Sequence, residues 1–90
     1  MKKYSILIPI HNEVYHIPLL LKSLTIFSEN GHQIIIIDDG SDDGSTNILE
    51  SYDEIDLVCL NENMGKGSAI KEGLKRVVNN RIILFDGDME

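Results

Sequence analysis

Four short apolar runs recur along this chain, and each of them stops abruptly at polar residues. The last run is the most informative, because Ile82–Phe85 leads directly into Asp86, Gly87 and Asp88. Apolar runs without alternation of polar and apolar positions are typical of strands buried on both faces of a parallel sheet. The three earlier runs end at the polar stretches 11–13, 38–41 and 61–65.

The stretches between these runs carry apolar residues at helical spacing. We therefore expect strands at about 4–10, 33–38, 55–60 and 81–86, and helices at about 14–28, 43–52 and 65–79. Strands that alternate with helices imply crossover connections and a parallel sheet. The predicted fold class is α/β, with a Rossmann-like parallel sheet in the order β-α-β-α-β-α-β. Ser41 or Asp42 is expected to cap the second helix. The apolar helix faces are expected to include Phe27, Tyr52, Leu74 and Val78.

The balance of charge limits the partners of the chain. Eight basic and 15 acidic residues give a formal net charge of −7, whereas phosphate backbones select basic surfaces, so nucleic acid is not an expected partner. An acidic protein that binds an anionic nucleotide requires a cation between the two. Cys59 is the only cysteine. We expect it to be buried in its strand as a small apolar side chain, and a free cysteine agrees with a cytoplasmic location.

Parallel strands bring all four polar clusters to one edge of the sheet. In open α/β sheets, ligands bind outside the carboxyl ends of the strands, near the point where the strand order reverses. Asp86 and Asp88 are two residues apart in extended backbone, so their carboxylates point the same way and can converge on one hard cation. Gly87 leaves the approach open, and Glu90 is placed to add an oxygen ligand. Such an ion keeps positions for substrate phosphates.

The other three clusters each admit a binding role and a purely structural one. Asp38 and Asp39 either form a helix-capping turn or accept hydrogen bonds from a nucleobase. The His11 ring packs on a base while Glu13 hydrogen-bonds the nucleoside, or this segment simply ends a strand and begins a helix. Lys66 either contacts phosphate at a helix N-terminus, which favours anions, or is solvated.

Taken together, these motifs resemble those of the family 2 glycosyltransferases with the GT-A fold. The resemblance implies that the segment from Pro9 to Glu13, together with Asp39, holds the nucleoside. It implies that Asp86 and Asp88 form a D-x-D motif that binds Mn²⁺ or Mg²⁺ and the diphosphate of the donor. The implied reaction is metal-dependent transfer of a sugar from a UDP- or GDP-sugar, with inversion. The matching segments are 5–13, 37–46, 63–69 and 84–88, in the family's order and spacing.

The segments 63–67 and 86–90 look most like the branch that moves mannose or glucose onto polyprenyl phosphate, so the expected acceptor is a polyprenyl phosphate or a glycan. The family fold extends beyond residue 90. We therefore expect residues 1–90 to be the nucleotide-sugar-binding half of a GT-A domain. The acceptor half and any catalytic base would lie outside it, and the isolated chain would be inactive. The expected location is the cytoplasm or the cytoplasmic face of a membrane.

Two other functions stay open at this point. A nucleotidyltransferase-like metal–nucleotide enzyme uses a similar sheet. A non-enzymatic calcium module is the other alternative, because residues 39–50 place oxygen-bearing side chains at EF-hand ligand positions. A helix at 33–38 would favour that module, since an EF-hand needs a helix before its loop. Separately, the apolar strand at 82–85 is a pairing hazard at a sheet edge and predicts a homo-oligomer.

Overall fold

A computed structural model describes residues 2–85 of this chain. Strands and helices alternate as the sequence predicts, and every helix is shorter than its apolar pattern indicated. Helix α1 begins three residues later than expected because the chain first makes a turn, and Pro18 then occupies the first helical turn, where its missing N–H costs nothing. The elements are β1 (Tyr4–Ile10), α1 (Ile17–Glu29), β2 (Gln33–Asp39), α2 (Ser45–Glu50), β3 (Asp56–Leu60), α3 (Lys66–Leu74) and β4 (Arg81–Leu84).

The four strands form one parallel sheet in the order β3-β2-β1-β4. The chain runs outward from β1 through β2 to β3 and then returns to place β4 on the other side of β1. The strand order therefore reverses beside β1, and the carboxyl end of β1 is the position at which such sheets bind ligands.

Side-chain alternation along the strands divides the core into two layers. The even-numbered residues of β1 and β2, from Ile6 to Ile36, pack against α1 and against Leu49 of α2. The odd-numbered residues, such as Leu7 and Ile37, pack on the opposite face against Ala69 of α3. Successive strand residues thus face different helices, and this alternation extends to the polar residues that end β2.

The predicted apolar faces of the helices were wrong at their outer positions. The side chains of Phe27, Tyr52, Leu74 and Val78 are exposed, Val78 by 77%. Helix α3 instead buries Ala69 and Gly73. A Cβ at Gly73 would lie 2.6 Å from Cδ1 of Ile37, so the helix approaches the sheet too closely for a larger residue. Val78 follows the end of the helix, where helical spacing no longer applies.

The prediction that Cys59 is buried was also wrong, since this residue is exposed on the edge strand β3. The short helix α2 packs near β3 but leaves the side chain of Cys59 accessible. Partial burial of the thiol, followed by the negative charges of Asp38 and Glu50, raises the pKa of Cys59. Asp38 is its neighbour in register on β2.

The alternative hypothesis of a calcium module was wrong, because residues 33–39 form a strand and an EF-hand requires a helix there. The expected caps of the second helix were wrong as well. The N-cap of α2 is Gly44, at φ 97°, and the first N–H of the helix, that of Ser45, is bound instead by the side chain of Asp43. Between residues 2 and 85, no helix is long and apolar enough to cross a membrane.

Candidate functional site

A cleft of about 230 Å³ opens at the carboxyl edge of the sheet, between the loops that follow β1, β2 and β3. It lies at the reversal of strand order, where a binding site is expected. Five of the predicted binding residues line it together, and three further residues join them. The predicted ones are Pro9, His11, Glu13, Asp39 and Lys66, and the others are Ile10, Asn63 and Gly65.

Asp39 is the last residue of β2 and faces the entry to α3. Its side chain is buried at 4% exposure. Its Oδ1 accepts a hydrogen bond from the N–H of Met64 at 2.7 Å, and its Oδ2 accepts one from the N–H of Gly65 at 3.0 Å. Its backbone carbonyl lies 2.8 Å from Nδ1 of His11. This one residue therefore holds the end of β2 to both neighbouring loops.

Asp38 lies on the opposite face of the same strand and does not line the cleft. It is buried at 1% exposure. Its Oδ1 accepts the N–H of Ser41 at 3.0 Å, and its Oδ2 accepts the hydroxyl of Thr46 in α2. The strand runs one residue further than predicted, so neighbouring carboxylates that seemed to share a turn point to different sides.

The loop after β1 is fastened to the loop after β2 at Asn12. The N–H of Asn12 donates to Oγ of Ser41, and its Oδ1 accepts the N–H of Asp42, both at 2.9 Å. Asn12 has φ 51°, the only positive φ of a non-glycine residue in the described part of the chain. Asparagine tolerates this left-handed conformation better than most residues do.

Asp43 makes a second attachment between the same loops. Its Oδ2 accepts the N–H of Val14 at 3.1 Å, and its Oδ1 accepts both the N–H and the hydroxyl of Ser45, at 3.0 and 2.5 Å. Burial alone would raise the pKa of Asp43, but the bonds from the Ser45 hydroxyl, Val14 and the Ser45 N–H together lower it below its usual value of 3.8.

Glu13 lines the cleft and also lies in the turn that precedes α1. Its backbone carbonyl accepts the N–H groups of His16 and Ile17 at 2.8 and 3.1 Å. Its Oε2 lies 2.7 Å from Nδ1 of His16. One carboxylate oxygen therefore has a partner outside the cleft, and the other remains available toward a ligand.

Helix α3 opens at the other side of the cleft. Its N-cap, Gly65, has φ 92° and ψ 155°, a region that essentially only glycine occupies. The first intrahelical bond runs from the N–H of Ala69 to the carbonyl of Gly65 at 3.0 Å, and Lys66 is the first helical residue. The N-terminus of a helix favours an anion, so the cleft has one end suited to phosphate.

The sequence interpretation missed Asn63 and Gly65 as cleft residues. The Oδ1 of Asn63 accepts the N–H of Gly65 at 3.2 Å, so the two residues shape the turn that the carboxylate of Asp39 holds. A glycine directly before a polar helix start was the available signal, because glycine adopts backbone conformations that other residues avoid.

The predicted metal ligands Asp86, Asp88 and Glu90 lie outside the described residues, as does Gly87. Within residues 2–85, no three His, Cys, Asp or Glu side chains meet in a group that could hold a metal ion. Phe85 donates its N–H to the carbonyl of Leu7 at 2.8 Å and so continues the β1–β4 pairing toward the cleft edge. Carboxylates in that stretch of sequence are the donor set that Mn²⁺ and Mg²⁺ accept.

Solved structures with the same arrangement define the class of protein. The chain superposes on TarS 1-349 of S. aureus with a TM-score of 0.84 and 27% identity, over 96% of this chain and 27% of that one. It superposes on the mannosyltransferase PcManGT from Pyrobaculum calidifontis, solved with GDP-Man and Mn²⁺, with a TM-score of 0.77 and 22% identity, over 96% and 27% of the two chains. The fold is the GT-A fold of glycosyltransferases.

The chain belongs to glycosyl transferase family 2, which it matches over residues 5–90. It is 36% identical, over 98 aligned residues, to the undecaprenyl-phosphate 4-deoxy-4-formamido-L-arabinose transferase of Yersinia pestis (strain Pestoides F). That alignment covers all of this chain and 30% of the relative, so the chain spans about a third of the length of the curated relatives it matches. The predicted family and fold class are confirmed.

Proposed function

We propose that residues 1–90 form the donor-binding half of a GT-A domain that transfers a sugar from a nucleotide diphosphate sugar to an acceptor. The observation that carries this proposal is the cleft, in which three loops of a parallel sheet bring an aromatic ring, carboxylates and a helix N-terminus together. A nucleotide sugar presents the matching sequence of groups: a flat base, hydroxyls on the ribose, and an anionic diphosphate.

In this proposal each end of the cleft holds one part of the donor. The ring of His11 packs on the base beside Pro9, and Glu13 accepts a hydrogen bond from the nucleoside. Asp39 retains acceptor capacity for a base N–H, because each carboxylate oxygen has two lone pairs and the loop uses only one of each. Lys66 and the N-terminus of α3 attract the diphosphate.

The carboxylates of Asp86 and Asp88, with Glu90, would hold a divalent cation, Mn²⁺ or Mg²⁺. When bound, that ion neutralises the charge that develops on the departing diphosphate. The solved mannosyltransferase with GDP-Man and Mn²⁺ shares this fold, which supports a divalent cation in general. Asp88 is the ligand to which we assign the largest contribution, and Gly87 leaves the donor room to approach.

The finer features of the reaction follow the resemblance to the polyprenyl-phosphate branch. We propose a UDP- or GDP-sugar as the donor and a polyprenyl phosphate as the acceptor, with direct displacement that inverts the anomeric carbon. The name of the Yersinia relative, an undecaprenyl-phosphate sugar transferase, supports this acceptor class. In this proposal any catalytic base lies outside residues 1–90. The reaction takes place at the cytoplasmic face of a membrane. Separately, we propose that chains associate through the strand at 82–85.

Calorimetric titration of UDP-glucose and GDP-mannose, with and without Mn²⁺, tests the proposed donor site. We expect one of the two to bind in a Mn²⁺-dependent manner, because the proposed carboxylates would hold the ion and its charge would offset that of the diphosphate. Asp88→Ala should abolish the metal-dependent part. Asp53→Ala is the matched control, since Asp53 is exposed in the turn before β3, away from the cleft.

The titration is performed on the full native chain and on residues 1–90. Binding to the full chain alone would mean that the cleft is completed by residues outside this segment, and the donor site would stand. Failure of both nucleotide sugars to bind either protein, with Mn²⁺ present, would overturn the proposed donor site and favour a different metal–nucleotide reaction.

A further inference from the structure

We propose that Asn12 is a positioning residue that fixes the protonation pattern and the orientation of the His11 ring at the wall of the cleft. The role of this ring toward a donor rests on the proposed function, whereas its tautomer rests on hydrogen bonds alone. Four groups are linked in a chain of hydrogen bonds: the carbonyl of Asp39, the His11 ring, the side chain of Asn12 and the N–H of Asp42.

The first contact determines the proton on one ring nitrogen. Nδ1 of His11 lies 2.8 Å from the backbone carbonyl oxygen of Asp39. A carbonyl oxygen accepts hydrogen bonds and cannot donate them, so Nδ1 must carry the proton. His11 is therefore held as the Nδ1–H form of the imidazole, with its ring edge tied to the end of β2.

The second contact determines the other ring nitrogen. Nε2 of His11 lies 3.3 Å from Nδ2 of Asn12, and an amide nitrogen only donates. The orientation of this amide is itself fixed, because Oδ1 of Asn12 accepts the N–H of Asp42 at 2.9 Å. Nε2 must then accept this hydrogen bond with its lone pair, so both ring nitrogens have a partner.

The backbone of Asn12 supplies a third requirement. At φ 51° it occupies the left-handed region, where asparagine, aspartate and glycine are the residues commonly accepted. Aspartate has no N–H to offer Nε2, and glycine has no side chain at all. Of these residue types, asparagine alone combines this conformation with an acceptor for Asp42 and a donor for His11.

The consequence is a ring that cannot flip or rotate without breaking hydrogen bonds on both edges. A ring whose edges are hydrogen-bonded can still pack its faces against a planar base. Because the ring is already ordered, less side-chain conformational entropy is lost when the base binds. Asn12 would then act on donor affinity through His11, without any contact of its own with the donor.

Nitrogen-15 correlation spectra of the histidine rings test the tautomer in the full native chain. We expect the His11 ring to show a protonated Nδ1 and an unprotonated Nε2. His32 is the internal control with the opposite pattern, because its Nδ1 accepts the N–H of Tyr4 at 3.1 Å. An Nε2–H form of His11 in the unsubstituted protein would overturn the proposal, whatever the protein binds.

Two substitutions separate the side chain of Asn12 from its backbone. Asn12→Gly keeps the left-handed conformation and loses both side-chain contacts, whereas Asn12→Asp keeps the acceptor for Asp42 and loses the donor to His11. We expect both variants to lose the single Nδ1–H pattern. In kinetic assays of the full enzyme, the KM for the nucleotide sugar should rise about five- to tenfold, as expected for one lost hydrogen bond, with kcat within about twofold.

Asn47→Asp is the matched control, because Asn47 is exposed on α2 and the change introduces the same charge. A changed tautomer with an unchanged donor KM would overturn the positioning role. If the unsubstituted protein shows the Nδ1–H form but uses no nucleotide sugar, the proposed function fails and the assignment of the ring stands.

Discussion

At the scale of single residues, the two aspartates that end β2 have different surroundings because they lie on opposite faces of one strand. Asp39 accepts two backbone N–H groups that cannot reverse their roles. Asp38 accepts one backbone N–H and the hydroxyl of Thr46, and a hydroxyl both donates and accepts. Substitution by asparagine should therefore lower the free energy of unfolding by different amounts at the two positions.

Asp39→Asn places an amide NH₂ against the N–H of Met64 or Gly65, so one hydrogen bond is replaced by two opposed donors. We expect a loss of ~1–3 kcal/mol in the free energy of unfolding, together with weaker donor binding. Asp38→Asn should cost less, ~1 kcal/mol or below, because Thr46 can turn to accept from the new amide. Chemical denaturation of both variants measures the difference, and equal losses would contradict it.

At the scale of elements, the turn between β3 and α3 depends on a backbone conformation that its glycine allows. A Cβ at Gly65 would meet no atom within 4 Å, and neither would one at Gly67. The two glycines differ in backbone conformation, since φ is 92° at Gly65 and is not positive at Gly67, which lies in the first turn of α3.

Gly65→Ala should therefore destabilise the protein by ~1–3 kcal/mol through backbone strain alone. Gly67→Ala, two residues away with equal space, should be neutral or stabilise by up to ~1 kcal/mol, since alanine favours helix. Thermal and urea unfolding of both variants provide the comparison. A Gly65→Ala protein as stable as Gly67→Ala would show that the turn relaxes to another conformation.

The stability contributed by the attachment between the loops after β1 and β2 should depend on pH. The folded state lowers the pKa of Asp43 below 3.8, so the ionised side chain contributes stability at all pH values above that point. The contribution is lost as the pH falls through the lowered pKa. We expect Asp43→Asn to be less stable than the unsubstituted protein at neutral pH, with the difference shrinking below about pH 4.

Urea unfolding as a function of pH measures this difference. Asp53→Asn, a change at an exposed position outside the loop attachment, is the matched control. A difference between the Asp43→Asn and unsubstituted proteins that stays constant down to pH 2 would contradict an ionised Asp43 in the attachment.

At the scale of the whole molecule, β4 forms one edge of the described sheet and keeps an apolar surface in solvent. The side chains of Ile82, Ile83 and Leu84 are 48%, 39% and 59% exposed. Exposed apolar edge strands pair with other chains, so we expect self-association that increases with concentration. Static light scattering should show a mass above that of one chain, and Leu84→Lys should return it to the monomer value.

Lys71→Leu gives the opposite control, since it adds an apolar side chain on the exposed surface of α3, away from this edge. A monomer at every concentration would remove the proposed association through residues 82–85.

Much of this architecture could be predicted because it depends on local patterns. Apolar runs and helical spacing placed all four strands and three helices, and parallel pairing placed the polar clusters on one edge. Most cleft residues found from sequence lie at the carboxyl end of a strand or just after it, as Asp39 and His11 show. What could not be predicted depends on a strand end placed one residue early, which concealed that Asp38 and Asp39 face opposite sides of the sheet. It also depends on contacts between loops about 30 residues apart.

The contact at Gly40 has a consequence for how such a site can change. A Cβ on this residue would lie 2.4 Å from the carbonyl carbon of Glu62, so the loops after β2 and β3 touch backbone to backbone. A new loop grafted after one strand would collide with the old loop beside it. An exchange of loops that is meant to change nucleotide preference would therefore have to replace all three loops together. Chimeras in which only one loop is replaced should not form the cleft.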